Sequence, residues 1–240
     1  MAAGVLRNAG YYMGDRFYPT DEGNPKGYFE DLEVNAINEE ILLQAHPPRR
    51  NGPISGLLTR SRLKPGQRWL APVPIDATFR CSAQLKERIE QLTANAPVCF
   101  KDPRFSYTLD VWRPFINNAV QVCVFRNPST TANSIVKEWE RSPYLHNIPM
   151  TDDYALRVWE SMYTHILTRH CAFDGSWLFI HYNQFLDGSA FDRLEHALDV
   201  TADRSFVDPS LARSDGHMPV TGDISSIYDR LCELANYSGR

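Results

Sequence analysis

An arginine and a serine that could together bind a phosphate group stand just after an apolar run. Arg126 directly follows the run Val120–Phe125, and Ser134 comes eight residues after Arg126. A guanidinium and a hydroxyl can both donate hydrogen bonds to the oxygens of one anion. In the alternative interpretation, Arg126 pairs with a carboxylate and Ser134 lies on a solvated helix face.

The surrounding pattern predicts a strand, a turn and a helix. The run Val120–Phe125 is apolar and rich in β-branched residues, as is typical of a buried strand. Asn127 or Ser129 is the candidate N-cap of the next helix, and Pro128 is tolerated in a first helical turn. Arg126 is therefore expected at the carboxyl end of a strand, where ligands bind in open α/β sheets.

Composition limits the class of protein. The chain has 240 residues, with 43% hydrophobic and 22% charged residues and a net charge of −4. Such values predict one globular α/β domain over residues 1–240, with no general attraction to nucleic acid or membranes. No apolar run reaches the roughly 18 residues of a transmembrane helix, and the N-terminus does not resemble a signal peptide. The five cysteines show no metal-ligand spacing, so we expect a reduced, cytoplasmic protein without a metal.

Apolar periodicity and turn-forming residues predict the order of the elements. The strands are expected at residues 97–100, 120–125 and 177–182. The helices are expected at residues 1–12, 31–43, 82–94, 108–116, 129–141, 152–171, 190–198 and 223–236. Strands separated by helices imply parallel βαβ units.

Residues 46–75 form a predicted irregular insertion, rich in proline, glycine, arginine and lysine. Loops of that length inside a compact domain are usually functional or mobile. The segment is therefore interpreted either as a lid or acceptor-binding segment, or as a disordered surface loop.

Four stretches, in this order along the chain, carry a resemblance to a known family. They are Asn24-Pro-Lys-Gly-Tyr-Phe-Glu-Asp31, Lys101-Asp-Pro-Arg104, Phe125-Arg-Asn-Pro with Ser134, and Ile180-His-Tyr-Asn-Gln-Phe-Leu186. Together they resemble the bacterial branch of the sulfotransferases that use 3′-phosphoadenosine-5′-phosphosulfate. The resemblance implies a three-layer, nucleotide-kinase-like (P-loop NTPase-like) α/β fold with a mostly parallel sheet flanked by helices. It also implies transfer of a sulfuryl group to a hydroxyl or amine of a glycan, lipid or small-molecule acceptor.

The resemblance assigns nucleotide-binding roles to four residues. Arg126 and Ser134 match the arginine and serine that bind the 3′-phosphate in that family, in the cofactor or in its product adenosine 3′,5′-bisphosphate. Tyr182 lies in a segment that resembles the one beside the adenine. Arg213 resembles a late arginine that can also reach the phosphate.

The resemblance also suggests which residues carry the chemistry. Glu30 falls where several branches have a catalytic carboxylate, and a following helix start would stabilise its ionised form, as suits a base. Lys101 is a candidate for contact with the sulfate or acceptor, and Asp102 is a second candidate base. The alternatives are a capping or salt-bridged role for Glu30 and a structural ion pair with Arg104 for Lys101 and Asp102.

The sequence departs from the family at one motif. The glycine- and serine-rich loop that cradles the 5′-phosphosulfate should precede a helix such as residues 1–12, and it is absent. We therefore expect that the natural chain begins upstream of Met1. Two other interpretations are a nonenzymatic binding module that keeps the fold and a nucleotide kinase, which would also need the missing loop.

Overall fold

The computed structural model describes residues 1–46, 63–173, 175–211, 216, 218–220 and 222–239. In these residues two strands occur, β1 (Val120–Phe125) and β2 (Ser176–His181). The helices are α1 (Ala2–Val5), α2 (Leu32–Leu42), α3 (Ala83–Thr93), α4 (Phe105–Trp112), α5 (Pro128–Arg141), α6 (Asp152–Thr164), α7 (Tyr182–Leu186), α8 (Phe191–Leu198) and α9 (Asp223–Ala235). The chain is thus a mixed helix and sheet protein.

The two strands form a small parallel sheet. The register runs from Val120 opposite Ser176 to Phe125 opposite His181. Strand β1 has the predicted bounds, whereas β2 ends one residue early because Tyr182 begins α7. Both strands therefore finish at the same edge of the sheet, with Arg126 and Tyr182 as the next residues of their segments.

Helices flank the sheet on both faces. Successive side chains of a strand point to opposite sides, so the apolar strands present apolar side chains on both faces, and helices cover them. One face packs against the buried side chains of α1, α7 and α8 and of the segments next to them, namely Val5, Leu6, Phe185, Phe191 and Leu194. The other face packs against the buried side chains of α6 and α9, namely Trp159, Leu231 and Ala235. Burying both faces of the sheet fixes its register and hence the positions of the residues at its edge.

The predicted helix over residues 1–12 is wrong beyond Val5. The Val5 carbonyl accepts a hydrogen bond from the Asp203 backbone N–H at 2.7 Å, instead of one from the next helical turn. Gly10 then has a φ of +84°, which glycine adopts at little cost and which a helix cannot contain. The N-terminal helix is consequently a single turn.

The strand predicted at residues 97–100 is also wrong. Only Val98 forms a bridge there, in parallel with Tyr12. The Tyr12 N–H donates to the Pro97 carbonyl at 2.8 Å, and the Cys99 N–H donates to the Tyr12 carbonyl at 2.9 Å. Pro97 has no N–H to donate, so the pairing cannot be extended through its nitrogen.

Two helices end earlier than predicted, because the chain passes into 3₁₀ or π turns before the predicted end. Helix α4 stops at Trp112 and continues as a 3₁₀ turn that contains Pro114. Helix α6 passes into a π turn, His165–Arg169, and a 3₁₀ turn, His170–Ala172. His165 contacts the Val73 carbonyl at 2.9 Å through its Nε2, so tertiary contacts hold this irregular turn in place.

Most of the predicted insertion lies outside the described residues. The description resumes at residue 63, and a 3₁₀ turn follows at Arg68–Leu70. No helix in the described ranges is both long and apolar enough to cross a membrane.

Candidate functional site: a basic cleft at the sheet edge

The sheet register brings Arg126 and Tyr182 together. Since Phe125 lies opposite His181, the residues that follow them are neighbours at the carboxyl edge of the sheet. The Arg126 guanidinium carbon lies 4.3 Å from the centre of the Tyr182 ring. This cation–π contact orients the guanidinium without neutralising its charge.

Helix α5 positions Ser134. The Asn127 side chain caps the helix and accepts hydrogen bonds from the Ser129 and Thr130 N–H groups at 2.9 and 3.4 Å. Asn127, rather than Ser129, is therefore the N-cap, and Pro128 occupies the first turn as predicted. Ser134 follows on the second turn of the helix and is partly buried.

Arg126, Ser134 and Tyr182 line the same cleft. The cleft has a volume of about 450 Å³, which lies within the range of small-molecule sites. Its other walls come from three separate parts of the chain and from further residues of α5, namely Met1, residues 22–27, Phe29, Lys137, Arg141, Phe206 and Asp208.

The side chains of the cleft are more cationic than anionic. Lys26, Lys137 and Arg141 join Arg126, whereas two carboxylates, Glu22 and Asp208, line the cleft. Four positive against two negative groups favour an anionic ligand.

A row of polar and cationic residues on α5 extends the cleft away from the sheet. Ser134, Lys137 and Arg141 are spaced by three and four residues, which places them on one face of the helix. Arg141 pairs with Glu138 at 2.8 Å. A Cβ atom at Gly23 would come within 2.6 Å of an Arg141 nitrogen, so a larger residue there would displace the end of the Arg141 side chain.

Arg126 has no carboxylate partner within 4.0 Å among the described residues, in contrast to the paired-arginine interpretation. Burial lowers the pKa of Arg126, and the Tyr182 and Tyr163 phenols oppose this shift. A partly desolvated guanidinium with unused donors is stabilised most by an anion that accepts them. The cleft therefore offers Arg126 to a ligand.

Glu30 and Lys101 form an ion pair beside the cleft. The Lys101 Nζ donates to a Glu30 oxygen, and the exposed fractions of the two side chains are 42% and 13%. Phe29, next to Glu30, lines the cleft and has a φ of +55°, a strained value for a bulky residue. Burial, and after it the charge of Lys101, lowers the pKa of the Met1 amino group to about 5. The pair thus lies towards the Met1 end of the cleft.

Glu30 does not cap α2. Asp31 is the N-cap, and its carboxylate accepts from the Glu33 and Val34 N–H groups at 2.8 and 3.1 Å. Of the two alternatives to a catalytic role, the salt-bridged one describes the observed contact.

Asp102 belongs to a buried network rather than to the lining of the cleft. Its carboxylate accepts from Asn35 and Asn38 side chains at 2.9 and 3.0 Å, and from the Arg104 N–H and guanidinium at 2.8 and 3.0 Å. Arg104 also donates to Glu39 at 2.8 Å. The ion pair with Arg104 expected as an alternative for Asp102 is present, and it anchors the segment that carries Lys101.

His181, next to Tyr182, is buried and packed. Its Nδ1 accepts from the Asn183 N–H at 3.2 Å, its Nε2 lies 3.2 Å from the Tyr228 hydroxyl, and its ring stacks on Tyr237 at 3.8 Å. Burial, together with the charge of Arg126, lowers the pKa of His181 to about 4. The ring is therefore neutral at pH 7, and it supports the sheet edge.

One predicted site residue lies outside the described part of the chain, and three residues that line the cleft were not predicted. Arg213 falls outside the described residues. Sequence reasoning did not select Lys137 and Arg141, although their helical spacing from Ser134 was a usable signal. It also missed Lys26, whose amino group donates to the Phe206 carbonyl and lies 5.0 Å from the centre of that ring. Nothing local to the Lys26 segment predicts a contact with residue 206.

No group of histidine, cysteine and carboxylate side chains in the described part of the chain could hold a metal ion. Comparison with known proteins found no match among family models, curated proteins or solved structures. The geometry of the cleft is therefore the basis for the function proposed below.

Proposed function

We propose that the cleft binds the phosphate of a 3′-phosphoadenosine nucleotide and that the protein is a sulfotransferase-like enzyme. It would transfer a sulfuryl group from 3′-phosphoadenosine-5′-phosphosulfate to a hydroxyl, or an amine, of a glycan, lipid or small molecule. The observation that carries the proposal is the presence of Arg126, with no described carboxylate partner, and Ser134 in one cleft at the sheet edge. The three-layer, nucleotide-kinase-like sulfotransferase fold, with a mostly parallel sheet flanked by helices, is part of the same proposal.

The lining of the cleft fits such a nucleotide. Arg126 and Ser134 supply a guanidinium and a hydroxyl for a terminal phosphate. Tyr182 supplies an aromatic face next to Arg126, which suits a base. Lys26 and Lys137 add positive charge for further phosphate oxygens.

The Glu30–Lys101 pair would carry the transfer step. The bound nucleotide supplies a sulfuryl group on an activated phosphate. Glu30 would accept the proton of the acceptor hydroxyl as that oxygen forms a bond to sulfur. The bond from sulfur to the 5′-phosphate oxygen would break at the same time, so that adenosine 3′,5′-bisphosphate leaves, and Lys101 would offer positive charge to the transferring group. Arg126 and Ser134, by fixing the nucleotide, would hold the donor in line with the acceptor.

A nonenzymatic binding module is the second candidate, and one observation favours it. The Glu30 carboxylate is engaged by Lys101, and the Asp102 oxygens are occupied by Asn35, Asn38 and Arg104. Both candidate bases, Glu30 and Asp102, are therefore already bound to other side chains of the protein. A binding module would keep the phosphate site and lack transfer.

Two measurements test the proposal. Calorimetric titration with adenosine 3′,5′-bisphosphate and, separately, ATP should give tighter binding of the bisphosphate, whereas a nucleotide kinase would favour ATP. Incubation with the labelled sulfuryl donor and a panel of hydroxyl-bearing acceptors should then yield labelled product. Bisphosphate binding without transfer would identify a binding module. Absence of bisphosphate binding would refute both candidates.

A further inference from the structure

A second cavity lies on the face of the sheet that α6 and α9 cover. It has a volume of about 640 Å³, and its lining shares no residue with the cleft at the sheet edge. Its walls come from β2, from α9, and from the π turn and 3₁₀ turn that follow α6. The function proposed above uses none of these residues, so the cavity is a separate candidate site.

Two aromatic rings of β2 form one wall of the cavity. Trp177 and Phe179 are two residues apart in the strand, so their side chains project to the same face of the sheet. Their ring centres are 5.6 Å apart, and the ring planes differ by only 19°. Parallel rings at this separation are offset, which leaves part of each ring face uncovered by the other ring. A further planar ring can therefore extend the stack.

Aliphatic side chains of two helical segments form other parts of the lining. Ile227, Arg230 and Leu234 are spaced by three and four residues, so they lie on one face of α9. Leu167 adds a third aliphatic side chain from the π turn His165–Arg169. Single π turns of this kind are rare and occur frequently at functional sites. Walls of this composition suit a ligand whose body is apolar.

The charge of the lining favours a ligand with a negative group. Among the described residues that line the cavity, Arg230 is the only charged one. Its guanidinium pairs with Glu233 at 2.9 Å, and the exposed fractions of the two side chains are 59% and 66%. An ion pair as exposed as this contributes little to stability, so a ligand carboxylate can replace Glu233 at small cost.

The indole N–H of Trp177 is a second group that a ligand would satisfy. Its nitrogen is buried and has no hydrogen-bond partner in the part of the chain that the structure describes. A buried N–H without an acceptor costs free energy, which an acceptor oxygen recovers. Ser226 also lines the cavity, and its hydroxyl has only a long contact, 3.4 Å, with the Gly222 carbonyl. The lining thus combines an apolar interior with a cation and two hydrogen-bond donors.

We infer that this cavity binds an aromatic carboxylate, that is, a planar aromatic ring system with one carboxylate group. The ring would extend the stack of Trp177 and Phe179 and contact the aliphatic side chains of α9 and the π turn. The carboxylate would pair with Arg230 and accept a hydrogen bond from the Trp177 N–H. This site does not depend on the proposed nucleotide site, and each can be tested without the other.

Proton–nitrogen NMR of the tryptophan indole groups, with 2-naphthoate as the probe, tests the site directly. The chain has five tryptophans, and Trp177→Phe and Trp139→Phe each assign one indole signal. The Trp177 signal should shift as 2-naphthoate is added. The Trp139 signal should stay in place, because that N–H donates to the Ile148 carbonyl at 3.0 Å and Trp139 does not line the cavity.

The negative charge of the probe and Arg230 should matter together. Arg230→Gln should weaken the binding of 2-naphthoate by about 3- to 10-fold, as expected for loss of a partly exposed charge-assisted contact. 2-Naphthamide has the same rings without the charge, and Arg230→Gln should leave its binding unchanged. Arg230→Lys, which keeps the charge, should retain most of the affinity for 2-naphthoate. Arg157→Gln is the matched control, since it removes an exposed charge of α6 outside the cavity.

Four results would overturn the inference. The first is a Trp177 signal that 2-naphthoate does not shift. The second is equal affinity of the wild type and Arg230→Gln for 2-naphthoate. The third is binding of decanoate, an aliphatic carboxylate, without binding of 2-naphthoate. The fourth is loss of 2-naphthoate binding in Arg126→Ala, which would place the probe in the cleft at the sheet edge. None of these results bears on adenosine 3′,5′-bisphosphate binding, which Arg230→Gln should leave unchanged.

Discussion

The Arg126 guanidinium lies 4.3 Å from the centre of the Tyr182 ring, and the parallel register of two buried strands sets this contact. The arginine is thus held in place by an aromatic face and keeps its charge for a ligand. Helix α5 adds Ser134 to the same cleft. The residues of the proposed anion site, from two strand ends and one helix, are thus already in place, which would lower the cost of ordering them on binding.

Two serines of α5 should respond differently to replacement by alanine. Ser134→Ala should weaken adenosine 3′,5′-bisphosphate binding by about 0.5–1.5 kcal/mol through loss of one hydrogen bond, with stability unchanged. Ser129 is buried and accepts from the Met218 N–H at 2.7 Å, so Ser129→Ala should lower the free energy of unfolding. Calorimetry and urea denaturation of both variants measure the two effects. Unchanged bisphosphate affinity in Ser134→Ala would remove Ser134 from the site.

Glu30→Gln should reduce turnover while retaining the nucleotide. The substitution keeps the shape of the side chain but removes the proposed base, so we expect a loss of roughly 10²–10⁴-fold in kcat. Adenosine 3′,5′-bisphosphate affinity should stay close to that of the wild type. Glu33→Gln is the matched control, because Glu33 lies in the same helix start and pairs with Arg88 at 2.6 Å. Near wild-type turnover in Glu30→Gln would leave only the ion-pair role.

The buried network around Asp102 should matter for stability. Arg104→Met would leave the buried Asp102 carboxylate without its guanidinium partner, whereas Glu39 would keep its ion pair with Arg68, and we expect a cost of about 3–5 kcal/mol in the free energy of unfolding. Lys86→Met, which removes an exposed pair with Glu90 at 3.7 Å, should cost less than about 1 kcal/mol. Urea denaturation compares the two. Equal small losses would show that the network is dispensable.

Stability should fall in mild acid because of His181. Its folded pKa of about 4 lies below its ordinary value of 6.5, so protons bind more tightly to the unfolded chain. The stabilisation is complete above pH 6.5 and is lost as the pH falls towards 4, by about 2–3 kcal/mol.

The pH dependence of urea denaturation measures this effect. His181→Asn, which can still cap α7, should flatten the dependence between pH 6.5 and 4, whereas the exposed His196→Asn serves as the control. An unchanged slope in His181→Asn would assign the effect to other groups.

Local sequence signals predicted the elements whose contacts are local. The β-branched run Val120–Phe125 gave the correct bounds of β1, and Asn127-Pro128 placed the start of α5. The apolar pattern predicts Tyr182 in a strand, but His181 and Gln184 form a capping box that begins α7. The His-x-x-Gln spacing was present in the sequence, but histidine is a rare cap.

Contacts between distant segments account for the other errors. The Asp203 N–H, which bonds to Val5 at the end of α1, lies nearly 200 residues further along the chain. The Phe206 carbonyl, which accepts from Lys26, lies 180 residues after it. No periodicity encodes such pairs. In contrast, a simple rule placed Arg126 at the carboxyl end of a strand, and the same rule accounts for its contact with Tyr182, which the sequence analysis did not predict, because parallel strands end at one edge of a sheet.

If Arg126 holds a phosphate of a 3′-phosphoadenosine nucleotide, its replacement should weaken the binding of one nucleotide and spare that of another. Arg126→Ala should lose about 2–3 kcal/mol of binding free energy for adenosine 3′,5′-bisphosphate and almost none for adenosine 5′-monophosphate. Arg157→Ala, which removes an exposed charge on α6, should change neither affinity. Equal losses for both nucleotides in Arg126→Ala, with the fold intact, or no loss for the bisphosphate, would show that Arg126 does not hold that phosphate.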